Sequence, residues 1–301
     1  TVIGLAAVLL VLVLLVAGLG GTGSGLRFVL GRTAILLDDN LRWQRAQGSL
    51  LGGLRLEGVD YEDPAVGRIQ ADVLEISPRS RRLLSGELHL TGVTLENVRV
   101  RLPAPGQAPA EADAPFELPA IALPVAVRVD ALRVDGRVVE DADSAPLLAL
   151  DRIEGALRWR GTRFEVESLR VQAPEGRLDL DADIDTGADW AGNARLAIDG
   201  QLPDGGATIR AELRVAGPQS APALDLALHQ PGPATLRLAR PAGAGSAAWT
   251  LQARSDGIDL ADLLDEPPLR RIAFALDGQG EGLAGTLTGR LVLDGQALAL
   301  N

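Results

Sequence analysis

The chain contains no cysteine, no methionine and no lysine, and only two histidines among its 301 residues. Without cysteine it has no disulfide framework and no thiolate chemistry, and a zinc site is not expected. Aromatic residues make up only 3% of the chain, so its 47% hydrophobic content comes mainly from Leu, Val and Ala. The net charge of −11 excludes an ordinary nucleic-acid-binding role, because contact with a phosphate backbone needs clustered basic residues.

One long apolar run opens the chain. Residues 2–19 carry no charge and no side chain that forms hydrogen bonds, and as a helix they would be roughly 27 Å long, close to the thickness of a bilayer core. The run exceeds the apolar core of a usual signal peptide, although small residues after it leave cleavage as the alternative. We expect residues 1–25 to form a transmembrane anchor with a flexible Gly-rich exit.

Residues 26–102 predict a small β unit. A short amphipathic helix is expected at 33–47, and alternating residues indicate strands at 54–61, 67–76, 86–91 and 94–102. The basic segment SPRSRRLLSG lies between the second and third of these strands. Five prolines then fall within residues 103–119, which we interpret as a linker, because proline cannot donate to a β-ladder.

Residues 120–301 show the most regular alternation and predict an elongated β body. In the clearest strand, Leu178, Leu180, Ala182 and Ile184 alternate with four aspartates, which we interpret as a solvated outer face rather than a calcium site. Asp-Gly pairs at 135–136, 199–200, 204–205, 256–257, 277–278 and 294–295 favour hairpin turns. One further short helix is expected at 258–264.

Strands with one apolar and one charged face must cover the apolar face with something. A second sheet or a closed barrel would do this with an ordinary aliphatic core, whereas a long curled sheet could leave the apolar side open for lipid tails. The pattern alone is compatible with each. The residues expected on that side, and therefore predicted to line a groove if it is open, are Val125, Val127, Val129, Leu157, Trp159, Phe164, Val166, Leu178, Leu180, Ile184, Leu196, Ile198, Ile209, Leu213 and Val215.

Four segments carry a resemblance to a known family. GSLLGGLRLEGVDYED begins at Gly48, the SPR turn lies at 77–79, and a strand pair between Leu83 and Pro103 precedes the Pro-rich gap. Together with LPVAVRVDALRVDG at 123–136, they resemble the N-terminal region of the TamB family, which is grouped with AsmA-like and bridge-like lipid-transfer proteins. The likeness lies in hydrophobic spacing rather than in catalytic residues.

The resemblance implies a mostly β fold in which a transmembrane helix precedes an elongated antiparallel or mixed β-groove, a β-taco, with one or two short helices. It implies a single-pass inner-membrane protein whose body lies in the periplasm of a Gram-negative bacterium and passes phospholipid between the inner and outer membranes. It also implies a partner, the outer-membrane barrel protein TamA, contacted through a C-terminal region beyond Asn301.

No enzyme, cofactor or metal is expected from the residues. His89 and His229 lie far apart in sequence, no nucleophile elbow is present, and the Gly18–Gly23 spacing lacks the strand and helix of a dinucleotide site. The alternative function is a scaffold or chaperone-like component that assists assembly or secretion of outer-membrane proteins through exposed strand edges. A closed sandwich without a ligand is the third possibility.

Overall fold

The computed structural model describes residues 41–49, 52–63, 67–101, 120–140, 146–201, 206–241, 248–262, 269–282 and 284–300. These residues are mostly β, which confirms the predicted fold class in its coarser form. They fall into two compact units, with the strands before Glu175 in unit 1 and the strands after it in unit 2. The expected anchor at 1–25 and linker at 103–119 lie outside the described residues. Within the described ranges, no helix is long and apolar enough to cross a bilayer.

Unit 1 contains eight strands of the sheet, numbered in chain order. The strands are β1 (Leu41–Arg42), β2 (Arg45–Ser49), β3 (Gly53–Asp63), β4 (Gly67–Pro78), β5 (Glu87–Arg101), β6 (Leu123–Glu140), β7 (Pro146–Gly161) and β8 (Arg163–Ala173). β1 and β2 both pair with β3. Neighbouring strands pair antiparallel, except that β5 and β6 are parallel. A parallel pair needs a long connection, and the chain between Arg101 and Leu123 supplies it.

Two expected helices are corrected by the structure. Within the helix expected at 33–47, residues 41–42 form β1 and residues 45–47 belong to β2 instead, because their backbones pair with β3; residues 33–40 lie outside the described part. A short amphipathic pattern does not stabilise a helix by itself, so pairing with β3 determines the secondary structure of this segment. In the helix expected at 258–264, Ile258 and Asp259 continue a strand and Leu260–Asp262 form a single 3₁₀ turn.

The apolar face of unit 1 is buried. The exposed fraction of Leu90, Val93, Val129 and Leu157 is at most 2% for each residue. Apolar residues of this face pair with one another across neighbouring strands. Trp159 packs against Phe164 with ring centroids 5.0 Å apart, and its indole N–H donates to the carbonyl of Gly161 at 3.1 Å. A tilted aromatic pair, whose indole N–H has a hydrogen-bond acceptor, therefore packs where β7 turns into β8.

Unit 2 is a meander in which each strand pairs antiparallel with the next. Its strands are β9 (Gly176–Asp185), β10 (Ala191–Gln201), β11 (Thr208–Gly217), β12 (Ala223–Gln230), β13 (Ala234–Ala239), β14 (Ala248–Asp259), β15 (Arg271–Glu281), β16 (Ala284–Leu293) and β17 (Gln296–Leu300). This order keeps contacts local in sequence and places consecutive strands side by side.

Most of the described Asp-Gly pairs do not form hairpin turns. Asp294-Gly295 does: it joins β16 to β17 with φ values of 47° and 86°, as a type I′ turn requires. Gly136 instead lies inside β6 with a positive φ of 57°, and Gly257 lies at a register shift inside β14. The pairs at 199–200 and 277–278 lie within β10 and β15, and 204–205 lies outside the described residues. Glycine that permits positive φ serves bulges as readily as turns.

Candidate functional site

Register aligns the apolar side chains of unit 2 into rows that cross all of its strands. Because side chains alternate along a strand, residues that pair across the ladder share a face. One row runs from Leu180 through Leu196 and Leu213 to Leu226 and Leu236. The row continues through Ala253, Leu276, Gly289 and Leu300. A line of aliphatic or small residues thus crosses nine strands without a charged side chain.

Two further rows flank this line on the same face. The first contains Leu178, Ile198, Ala211, Leu228, Ala234, Ser255, Phe274, Leu291 and Leu298. The second contains Ala182, Ala194, Val215, Leu224, Leu238, Leu251, Gly278 and Leu287. We refer to the three together as the apolar rows. Ser255 is the only residue in them with a polar side chain, and its hydroxyl donates to the carbonyl of Pro233 at 2.8 Å.

The apolar rows are much less buried than the apolar face of unit 1. Ala211 and Ala253 are buried, but Val215 is 39% exposed, Leu238 40% and Leu298 50%. The other large side chains of the rows are half-buried or exposed. Monomeric soluble proteins rarely leave a contiguous apolar area of this extent in water. The face is therefore a candidate binding surface for an apolar ligand.

The groove-lining residues expected in unit 2 come together on this surface. Leu180, Leu196 and Leu213 are successive members of one row, and Leu178 pairs with Ile198 in the next. Val215 lies in the third row, while Ile184 and Ile209 lie opposite glycines at the two ends of β9 to β11. All are half-buried, except for the more exposed Val215. Their role as a lining stays a prediction.

The groove-lining residues expected in unit 1 have a different environment. Val127 pairs with Trp159, and Trp159 with Phe164; Val129 pairs with Leu157, and Leu157 with Val166. Five of these residues are buried and Phe164 is half-buried, whereas Val125 is 42% exposed at the start of β6. Most of these side chains therefore lie in the buried apolar face of unit 1 and are less accessible than those expected in unit 2. Their role as a lining also stays a prediction.

The opposite face of unit 2 is charged and contains several ion pairs. Glu212 accepts hydrogen bonds from Arg195 at 2.7 Å and from Arg214 at 2.5 Å. These bonds, that from Arg195 first, lower the pKa of the Glu212 carboxyl below its usual value. Arg237 lies 3.6 Å from Asp225. Paired charges on one face and aliphatic rows on the other make the sheet strongly two-sided.

Trp249 lies at the far end of the apolar face and was not among the predicted site residues. Its indole ring lies on the backbones of three glycines, since a Cβ added at Gly278, Gly280 or Gly285 would stand 3.2, 2.6 or 2.5 Å from it. The indole N–H donates to the carbonyl of Gly282 at 3.0 Å. The glycines of β15 and β16 were the available signal in the sequence, but only the strand register places them under one ring.

The later members of the apolar rows were also not among the predicted site residues. Leu226, Leu236 and Leu276 belong to the same row as the expected Leu213. Their alternation is visible in the sequence, but it does not reveal that their strands continue the same sheet in the same register. In the described ranges, no group of His, Asp and Glu is arranged to hold a metal ion.

Comparison with known proteins adds one finding. A family model described as TamB, N-terminal domain, matches residues 12–183, which is more than half of the chain. No curated protein and no solved structure gives a significant match. The matched range includes the resemblance segments between Gly48 and Gly136.

Proposed function

Because this chain belongs to the TamB family, we propose that it is a non-enzymatic lipid conduit whose apolar rows hold the acyl chains of phospholipids. Family membership makes it an envelope-associated protein. The observation that carries the proposal is the continuous, incompletely buried apolar surface that crosses the nine strands of unit 2.

The energetics favour a surface of this kind. An acyl chain with about 14 methylenes costs on the order of 11 kcal/mol in water, at about 0.8 kcal/mol for each methylene. Contact with the apolar rows removes much of that cost. Nine strands spaced roughly 4.8 Å apart extend the surface over about 38 Å measured across the strands, so a tail can pass from row member to row member without meeting a charge.

The composition of the rows suits transfer rather than tight capture. Leu, Ala, Val and Gly offer no hydrogen bonds and few rigid aromatic contacts, so the surface does not select one position along its length. The charged head group stays in solvent beside the sheet, since the rows contain no cationic side chain to hold it.

The cellular setting follows from the family resemblance. We propose that residues 1–25 anchor the protein in the inner membrane, that its body lies in the periplasm, and that phospholipid moves between the two membranes. The proposed outer-membrane partner is TamA.

Photocrosslinking at paired positions tests the proposal. A photoreactive residue at Leu213 or Leu180 should trap phospholipid, whereas one at the adjacent Arg214 or Asp181, on the charged face, should not. Mass spectrometry of the adducts identifies what is bound. Equal lipid labelling of the two faces would overturn the proposal, and adducts with polypeptide in place of lipid would favour the scaffold function.

A further inference from the structure

The charged face of unit 2 contains a cleft of about 420 Å³. It spans four neighbouring strands, β11 to β14, and its polar side chains belong to the face of the sheet opposite the apolar rows, while Leu226 and Leu236 of those rows also contribute to its lining. Its charged and polar lining consists of Glu212, Arg214, Asp225, His229, Thr235, Arg237, Gln252 and Arg254.

Short side chains in the middle of one cross-strand row create this hollow. Glu212 pairs with Ala227, Ala227 with Thr235, and Thr235 with Arg254. Ala227 and Thr235 therefore form a low floor between two long charged side chains. The adjacent row, in which Arg214, Asp225, Arg237 and Gln252 pair in turn, forms a wall of longer side chains.

Charge in the cleft favours an anion although the whole chain is acidic. The two carboxylates of the lining already have cationic partners: Glu212 bonds two arginines, and Asp225 lies 3.6 Å from Arg237. Arg254 is exposed and makes no ion pair with any residue in the described part of the chain. The lining thus presents one uncompensated guanidinium beside a second, partly compensated one.

We propose that this cleft binds a phosphate group, with Arg254 as its main ligand and Arg237 and Gln252 as further donors. A guanidinium presents parallel N–H donors that match two phosphate oxygens, and such charge-assisted bonds are stronger than neutral ones. A free phosphate and a phosphorylated head group share this chemistry. The polar side chains of the cleft and the side chains of the apolar rows lie on opposite faces of the sheet. The phosphate site can therefore be tested separately from the proposed lipid conduit.

Calorimetric titration of the full chain in detergent with inorganic phosphate, at constant ionic strength, tests the site. Saturable binding is expected for the unsubstituted chain, and Arg254→Gln should weaken it about tenfold, as expected for losing a charge-assisted hydrogen bond. Arg290→Gln is the matched control. Arg290 lies in the same cross-strand row as Arg254 but two strands away, so its substitution should leave the affinity unchanged.

A second variant tests the hollow itself. Thr235→Tyr places a large ring on the floor of the cleft at an exposed strand position that tolerates tyrosine, and it should also weaken binding. Glycerol 3-phosphate, titrated in parallel, separates the sources: tighter binding than inorganic phosphate indicates a lipid head group, and weaker binding indicates the free anion. Absence of saturable phosphate binding, or an equal loss in Arg254→Gln and Arg290→Gln, would overturn the proposal.

Discussion

Trp249 and Gly280 face each other across β14 and β15, and the glycine leaves the space that the indole ring occupies. A Cβ at Gly280 would stand 2.6 Å from the ring and 2.2 Å from the carbonyl oxygen of Ala284. No real Cβ approaches atoms so closely, so either the ring or the backbone would have to move. The packing of Trp249 on Gly280 therefore requires glycine at this end of the apolar face.

We predict that Gly280→Ala destabilises β14 to β16 by about 1–3 kcal/mol, the usual cost of overpacking. Gly92→Ala is the control, because a Cβ at Gly92 would meet no atom within 4 Å. Hydrogen exchange of the strand amides measures both effects. Equal protection in the two variants would show that the ring does not occupy the space above Gly280.

A second prediction concerns the different burial of the two apolar faces. Leu157 is 2% exposed in unit 1, whereas Leu238 is 40% exposed in unit 2. We expect Leu157→Ala to cost about 3 kcal/mol of local stability, and Leu238→Ala less than about 1 kcal/mol. Hydrogen exchange in β7 and β13 compares them. A large cost at Leu238 would mean that protein already covers the apolar rows.

The pH dependence of stability provides a third prediction. Arg68 bonds both carboxylate oxygens of Asp60, at 2.9 and 2.6 Å, and this pairing lowers the pKa of Asp60 although burial acts in the opposite direction. A carboxyl whose pKa is lower in the folded state stabilises the protein above its unfolded pKa of about 3.9. That contribution is lost as the pH falls through the folded value.

Asp60→Asn should therefore be less stable than the unsubstituted chain at pH 7, and the difference should shrink below about pH 4. Urea unfolding at a series of pH values measures it. Arg68→Gln removes the other partner of the same pair and should reduce the pH dependence to a similar degree. If the Arg68 variant keeps the full pH dependence, the ion pair is not its cause.

Much of the β character was predictable, because alternation is a local property. Leu178 to Asp185 formed the expected two-sided strand, and Asp294-Gly295 formed the expected turn. The helix predicted at 33–47 was wrong in its described part, because pairing with β3 overrides a weak helical pattern. Asp256-Gly257 was wrong as a turn because the same positive φ that closes a hairpin also permits a bulge. The pairs at 135–136, 199–200 and 277–278 were wrong because they lie inside strands.

Burial and register were not predictable from the same pattern. Val127 and Leu213 alternate with arginine in the same way, but Val127 is buried and Leu213 is only half-buried. The difference depends on what packs over each sheet, which a strand does not encode by itself. Likewise, the phosphate cleft and the Trp249 contact arise from residues on three or four strands, and only the register brings them together.

Lipid retained by the purified chain is the most direct test of the central claim. Phospholipid extracted from the detergent-purified protein is quantified by mass spectrometry for three forms: the unsubstituted chain, Leu213→Asn with Leu226→Asn in the apolar rows, and Ala216→Asn with Ala223→Asn on the charged face. We predict bound phospholipid in the first and third forms and a several-fold loss in the second. Equal lipid content in all three, or none in the unsubstituted chain, would contradict the account.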